Sequence, residues 1–312
     1  MKDLSLDIII PNWNGRELLE KNLPAVFTAF ENVRTEKKRL TVIDDGSDDD
    51  SVKYLAEHYP SIMVITNGTN QGFHNAVNRA VSESTADVII LLNNDMQPET
   101  FALDVLYVPF VWASDLFAVT GRIYADDKKT FLYGNRGGIF KCGHFHLKEK
   151  PEFSLSQTLF ACGGGAAFDR EKFIELGSFD TLFSPFYYEE QDISYRALKR
   201  GYKILYEAKS VMHHQVRATI GKTMSEKNLG YISARNNYLF VLKNITDPDY
   251  TLAFLFFTPL FILSTLLKGN PRFLIAFVMA MPRIPRALLS RLKEQRYYVK
   301  KDREIFKAVN QD

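Results

Sequence analysis

The sequence predicts an α/β fold: a mixed, mainly parallel sheet flanked by helices, with a helical appendage at the C-terminus. Three observations predict it. Strand-like apolar runs alternate with helix-spaced patterns over residues 6–92. Polar clusters at 11–14, 44–48 and 93–95 close three of those runs. Eighteen residues, 250–267, carry no charge and precede a basic tail. Strands alternating with helices favour a parallel sheet covered on both faces. In such sheets ligands sit beyond the carboxyl ends of the strands, where these polar clusters fall.

Leu6–Pro11 reads as a fully buried strand closed by Pro-Asn. Leu18, Leu19, Leu23, Val26, Phe27 and Phe30 then recur at helical spacing. Leu40–Ile43 is a second buried strand, stopped by Asp44-Asp45-Gly46-Ser47, and Val52, Leu55 and Ala56 mark a second helix. Ile62–Thr66 is a third strand, followed by helical spacing at Phe73, Ala76, Val77, Ala80 and Val81. Val88–Leu92 is a fourth strand, ending in Asn93-Asn94-Asp95. Residues 116–168 are less regular, with short strands expected at Phe117–Gly121 and Gly165–Phe168. A helix is expected at Gln191–Lys199, a strand at Tyr202–Tyr206, and a strand-like piece at Ser210–Met212.

The chain divides into a domain over 1–245 and a hydrophobic, then basic, helical region over 246–312. At about 1.5 Å per residue, Tyr250–Leu267 would reach about 27 Å, the lower limit for crossing a bilayer. Pro259 falls in its middle and is expected to kink it. A second run, Phe273–Pro282, is too short to span alone. Nine Lys/Arg against three Asp/Glu between Arg283 and Lys307 suit an anionic membrane face or a solvated basic helix. The expected arrangement lies on the membrane rather than across it. The alternative is a helical hairpin packed on the domain.

A net charge of +2 gives the chain no basis for nucleic-acid binding as a whole. Two cysteines, Cys142 and Cys162, are too few for a disulfide framework and point to a reducing compartment. Met1–Ile10 lacks the features of a leader, so folding is expected to start near residue 4, in the cytosol.

Each polar cluster has a chemical and an architectural reading. Asp44 and Asp45 repel each other unless something compensates; a ribose or base could, and so could turn and cap bonding. Asp95, closing a buried strand after Asn93 and Asn94, could hold a hard divalent cation that neutralises a departing diphosphate. The same three residues also make a turn. Gln71-Gly72-Phe73-His74-Asn75 opens a helix whose free N–H groups suit an anion, or it is a tight turn. Tyr187-Tyr188-Glu189-Glu190-Gln191-Asp192 holds three carboxylates. They either serve the helix dipole or include a general base, beside aromatics fit to stack on a sugar ring. Of His213 and His214, strand alternation lets only one face a site, where a neutral imidazole could join Asp95 on a metal. Gly163-Gly164-Gly165 permits close backbone approach, or a tight bend.

In order and spacing these blocks resemble the inverting family 2 glycosyltransferases of the GT-A fold, most closely the branch with bacterial rhamnosyltransferases. The resemblance runs from Asp7 to Asn244 and rests on several ordered blocks. They are Ile8–Gly15, Val42–Ser47, Asn70–Phe73, Leu91–Asp95, Gly163–Ala167, Gly177–Asp180, Tyr188–Arg196, His213 and Arg235–Asn237. It implies a nucleoside-diphosphate-sugar donor, either thymidine-diphosphate rhamnose or a uridine-diphosphate hexose, and a Mn²⁺ or Mg²⁺ ion. Pro11, Asn12, Asn14, Asp44, Asp45, Gly72, Asn75, Asn93 and Asn94 would line the nucleotide-sugar pocket. Arg235 would contact phosphate or anchor structure. Asp95 and His213 would hold the metal. Glu190, or else Glu189, would be the base, with Gly164, Gly165, Tyr188 and Asp192 on the acceptor side. Two departures stand out: Asn93 replaces the first acid of the Asp-x-Asp motif, and the Glu-Asp dyad is Glu-Glu.

The implied acceptor is a polyprenyl-diphosphate-linked or other glycan, used at the cytoplasmic face of the inner membrane in cell-surface polysaccharide synthesis. A sugar-nucleotide nucleotidyltransferase would need a Gly- and basic-rich loop where Asn12–Glu17 stand. A non-catalytic membrane scaffold would be expected to lack some of Asp95, Glu190 and His213.

Overall fold

A computed structural model describes residues 3–151, 155–215 and 224–311. The first half follows the predicted alternation. Strand β1 (Leu6–Asn12), helix α1 (Arg16–Glu31), β2 (Lys38–Asp44), α2 (Ser51–His58), β3 (Met63–Thr66), α3 (Phe73–Glu83) and β4 (Val88–Leu92) follow in order. Then come β5 (Met96–Pro98), α4 (Ala102–Tyr107), β6 (Leu116–Ala125), β7 (Phe131–Tyr133), β8 (Arg136–Lys141), β9 (His144–Glu149), β10 (Ser156–Gln157) and β11 (Gly165–Asp169). The remainder is α5 (Arg170–Glu175), α6 (Glu189–Lys199), β12 (Lys203–His214), α7 (Glu226–Asn244), α8 (Pro248–Leu267), α9 (Arg272–Ala280), α10 (Ile284–Glu294) and α11 (Asp302–Asn310).

The main sheet runs β10-β12-β6-β11-β4-β1-β2-β3, with β5 on β12 and β7 on β6. β4, β1, β2 and β3 are mutually parallel, and β11 enters antiparallel between β4 and β6. Alternation along β1 sends Leu6, Ile8 and Ile10 to one core, under α1, α2 and α4. Ile9 goes to the other, under α3, α5, α6 and α7. Both faces are covered at the centre of the sheet, which is why Ile8–Ile10 of β1 and Val88–Leu92 of β4 are apolar without a break.

Besides the short elements between Met96 and Glu175 that no pattern marked, three longer ones differ from expectation. α7 has no predicted counterpart. Ile232, Ala234, Tyr238, Leu239, Phe240 and Val241 are buried around its circumference, together with Arg235, Asn236 and Asn244, so no single apolar stripe marks it as a helix. The pieces expected at 202–206 and 210–212 are one strand, β12, with an irregular register between Tyr206 and Val211. The second apolar run does not stop at Pro282; helical turns continue, giving Arg272–Tyr297 a length of 26 residues.

The C-terminal helices are docked on the sheet domain. Ile305, Phe306 and Val309 share a core with Phe145, Tyr195 and Phe240. The buried Asp302 accepts from Tyr195 Oη (2.7 Å), Lys199 Nζ (2.8 Å) and the amides of Thr246 (2.7 Å) and Asp247 (2.6 Å). Part of the basic tail serves this docking instead of a membrane. Arg283 donates to the carbonyls of Leu182 (2.7 Å) and Ser184 (2.8 Å), Arg286 to Asp180 (2.6 Å), and Arg291 to the Leu242 carbonyl (3.2 Å). Outward, Leu252, Leu255, Phe256, Leu263 and Leu267 of α8 and Val278 of α9 remain exposed.

Candidate active site

The ends of β1 and β2 build one wall. Asp44 accepts from Asn12 Nδ2 (3.0 Å), Ser47 N (2.9 Å) and Ser47 Oγ (2.6 Å). Asp45 accepts from Asn67 Nδ2 (2.6 Å) and from the amides of Gln71 (2.9 Å) and Gly72 (2.8 Å). The compensation sought for this pair is therefore supplied by the chain itself. The anion at the start of α3 is Asp45, so of the two readings of Gln71–Asn75 the tight turn is the one whose bonds the structure shows. Asn14 ties the β1 loop to the β2 loop: its amide donates to Ser47 Oγ (2.9 Å), and its Oδ1 accepts from Asp48 N (2.9 Å). Pro11 lies past the last β1–β4 pair, Ile9 with Leu91, so its missing N–H breaks no bond on that side. Asn75 is exposed and donates to the Gln71 carbonyl (2.9 Å).

The turn after β4 forms the centre. Asn94 Nδ2 donates to Asn12 Oδ1 (2.8 Å), joining the two polar clusters. Asn93 N donates to the Gly164 carbonyl (3.0 Å), and a Cβ on Gly164 would sit 2.6 Å from Asn93 Nδ2. A side chain on Gly164 would therefore displace the Asn93 carboxamide. Asp95 Oδ2 lies 3.2 Å from Nε2 of His214, while Asp95 Oδ1 is buried without a hydrogen-bond partner. His213 does not meet Asp95. Its Nε2 lies 3.2 Å from Glu99 and its ring stacks on Tyr124, because adjacent residues of β12 point to opposite faces.

The third wall is the start of α6. Tyr187 and Tyr188 both adopt left-handed backbone, φ 68° and 77°, a strained pair that turns the chain sharply into the helix. Glu189 is buried, with Oε2 3.6 Å from Nε2 of His74. Glu190 packs against the backbone of Gly163, where a Cβ would lie 3.1 Å from its Cγ. Burial, and then the neighbouring Glu189, push the Glu190 carboxyl up to about 8, against the pull of the Gly163 amide. The Cys162 thiol is pushed up by burial and then by the charges of Glu190, Glu189 and Asp95. Tyr133 exposes 43% of its side chain. Its hydroxyl is nonetheless pushed up to about 12 by lost solvent, then by Cys162, Glu190 and Tyr187.

Besides His213, four expected site residues lie elsewhere. Asp192 is fully buried, bound by Arg196 (2.8 Å), Lys243 (2.9 Å) and Asn244 (2.9 Å), and is a structural charge hub. Tyr188 packs between Phe183 and Phe240 and accepts from Asn237 (2.6 Å), so the exposed Tyr187 faces solvent in its place. Gly165 is buried against Met96 and Met212. Arg235 donates to the Ser184 carbonyl (2.7 Å) and to Asn236 (2.9 Å), the bonding of an anchor and not of a free phosphate contact. Burial and the nearby Arg283 pull its guanidinium down to about 10.

The family model described as glycosyl transferase family 2 matches residues 7–177, more than half of the 312 residues. The chain belongs to glycosyl transferase family 2. This family 2 glycosyltransferase is 22% identical over 255 residues to the poly-beta-1,6-N-acetyl-D-glucosamine synthase of Staphylococcus aureus (strain COL). The match covers 80% of this chain, which spans only 60% of that relative's length. Among solved structures it resembles S. aureus TarS 1-349 in complex with UDP-GlcNAc. The TM-score is 0.58 at 14% identity, covering 94% of this chain and 90% of that one. It also resembles the mannosyltransferase PcManGT from Pyrobaculum calidifontis in complex with GDP-Man and Mn²⁺. There the TM-score is 0.57 at 15% identity, covering 95% and 88%. These likenesses establish the GT-A fold, and they lend no support to the narrower resemblance to rhamnosyltransferases.

His74, Tyr133 and Cys162 belong to the cleft of this glycosyltransferase without having been marked as functional in the sequence. A histidine two residues past Gly72, within the Gln71–Asn75 block that opens a helix, was the available signal for the first. The other two carry none, since Tyr133 lies on a three-residue strand and Cys162 in a loop.

Proposed function

We propose that the chain transfers one sugar from a nucleoside-diphosphate donor to an acceptor hydroxyl with inversion at the anomeric carbon. The observation that carries this reading is the unpartnered Asp95 Oδ1 on the turn whose Asn93 abuts Gly164, next to the Gly163 against which Glu190 packs. A buried carboxylate oxygen without a partner is costly unless a ligand satisfies it. Asp95 and His214 fit a divalent cation as two protein ligands. Among the described residues no group of three or more His, Cys, Asp or Glu is placed to hold a metal ion, so the cation would be held by the chain through Asp95 and His214 alone. When bound, such a cation would supply charge neutralisation for a departing diphosphate.

The remaining steps fall to the chain. Asn12, Asn14, Asp44 and Asp45 form a pre-bonded wall suited to the nucleoside. Glu190 accepts the proton of the acceptor hydroxyl as its oxygen attacks the anomeric carbon and the bond to the diphosphate breaks. Glu189, facing His74, is the weaker candidate for that proton. Tyr187 and Tyr133 offer exposed aromatic surface to a sugar on the acceptor side.

Uridine- and guanosine-diphosphate sugars are favoured over thymidine-diphosphate rhamnose by the donors bound in the similar structures. The exposed apolar residues of α8 and α9 support work at a membrane surface. A lipid-linked or glycan acceptor on the cytoplasmic face accords with the polysaccharide named for the relative. The test is incubation with UDP-GlcNAc, GDP-mannose or thymidine-diphosphate rhamnose, with Mn²⁺, Mg²⁺ or chelator. Cation-dependent release of nucleoside diphosphate is expected; release of pyrophosphate would mark a nucleotidyltransferase instead.

A further inference from the structure

We propose that His74 is a positioning residue that supplies the counter-charge to Glu189 and so leaves Glu190 free to accept the acceptor's proton. This rests on the reading of Glu190 as the base. His74 is the second residue of α3 and is 2% exposed. Its ring stands edge-on to Phe73 and Phe179, at 6.1 and 6.3 Å. Its Nε2 and the Oε2 of Glu189 both lack hydrogen-bond partners and face each other at 3.6 Å. Two buried, complementary atoms in this relation are relieved together when a proton lies between them.

The ring has little freedom to leave. Asn78, one turn along α3, exchanges two bonds with the backbone of Phe179: its Nδ2 donates to the carbonyl (2.8 Å), and its Oδ1 accepts from the amide (3.0 Å). The start of α3 is pinned through Gln71 and Gly72 to Asp45. The same helix that satisfies Asp45 on the donor side therefore carries His74 to the dyad.

The consequence falls on Glu190. The groups around it are Glu189 on its own helix, Gly163 and Cys162 ahead of β11, Tyr133 of β7, and the nearby Tyr187. Glu189 is the carboxylate that opposes its ionisation, and the Gly163 amide assists it. Adjacent buried carboxylates cannot both carry charge cheaply. A proton shared between Nε2 of His74 and Oε2 of Glu189 weakens the opposing field and favours the ionised form of Glu190.

The test reads Glu190 directly in the full chain labelled with carboxyl-¹³C glutamate, its signal identified as the one missing from E190Q. The midpoint of the titration is expected to rise by about one pH unit in H74Q, a tenfold change in proton affinity. It should fall in E189Q, and the H74Q/E189Q double variant should follow E189Q. An unmoved midpoint in H74Q overturns the proposal. So does an unmoved midpoint in E189Q, which keeps the test open if H74Q does not fold. No donor or acceptor is needed, so a failed transfer assay and a failed titration remain separate results.

Discussion

Asp95 and His214 meet at 3.2 Å across the junction of β5 and β12, while His213 turns away to Glu99. The contact joins a strand-end carboxylate to an imidazole that strand parity alone left interchangeable with its neighbour. His214 is therefore the histidine whose loss should matter to a bound cation. H214A is expected to weaken Mn²⁺ binding by roughly 10–100-fold, and D95A to abolish it. H213A should leave it within about threefold. Calorimetric titration of Mn²⁺ in the presence of UDP checks this, and equal losses in the two histidine variants would count against the assignment.

Glu190 should make both activity and stability depend on pH, in opposite directions. Transfer needs the ionised carboxyl, so kcat/KM should climb with pH and level off above about 8. For stability the sign reverses. Between the ordinary value of 4.5 and about 8 the folded chain keeps a proton that the unfolded chain has lost. Stability therefore falls as pH rises through that window. E190Q removes the penalty. It should abolish transfer yet melt roughly 3–8 °C above wild type at pH 9, with the two curves converging near pH 4.5. A thermal scan across pH checks it, and equal melting temperatures at pH 9 would contradict the burial of this charge.

Asp302 should be the residue on which docking of the C-terminal helices depends. Its carboxylate is the partner of Lys199 Nζ at 2.8 Å, and both side chains are almost wholly buried. D302A strands the Lys199 charge and also frees the amides of Thr246 and Asp247. A loss of roughly 3–5 kcal/mol is expected, read by denaturant unfolding. D302N keeps the shape and part of the bonding and should lose less.

What the sequence disclosed follows from where each signal is local. β1, β2 and β4 were legible because each carries a continuous buried, mainly apolar run, Ile8–Ile10, Leu40–Ile43 and Val88–Leu92, and the helices between them show one buried stripe. The polar strand ends located the cleft. The parity of His213 and His214 was not legible, because the irregularity between Tyr206 and Val211 resets the alternation along β12. Tyr187 and Tyr188 exchange their expected places because both adopt left-handed backbone, which no pattern of side chains announces. Arg283, Arg286 and Arg291 read as a membrane-facing charge run because their partners are carbonyls and Asp180, far away in sequence.

The exposed face of α8 carries the last prediction. Leu255 and Leu263 are 60% and 55% exposed, eight residues apart on a helix that is apolar all round. A soluble surface seldom keeps so contiguous an apolar face, and a bilayer interface removes it from water at roughly 25 cal/mol per Å². Replacing both with glutamate should cost little stability, because neither side chain is packed inside the protein. It should nevertheless release the chain from vesicles of phosphatidylethanolamine and phosphatidylglycerol in a sedimentation assay. Replacing Lys293 and Arg296, both exposed, with glutamine should weaken that binding mainly at low salt, since screening already limits their pull at physiological ionic strength. Full sedimentation of the Leu255→Glu/Leu263→Glu chain would mean that this face meets something other than lipid.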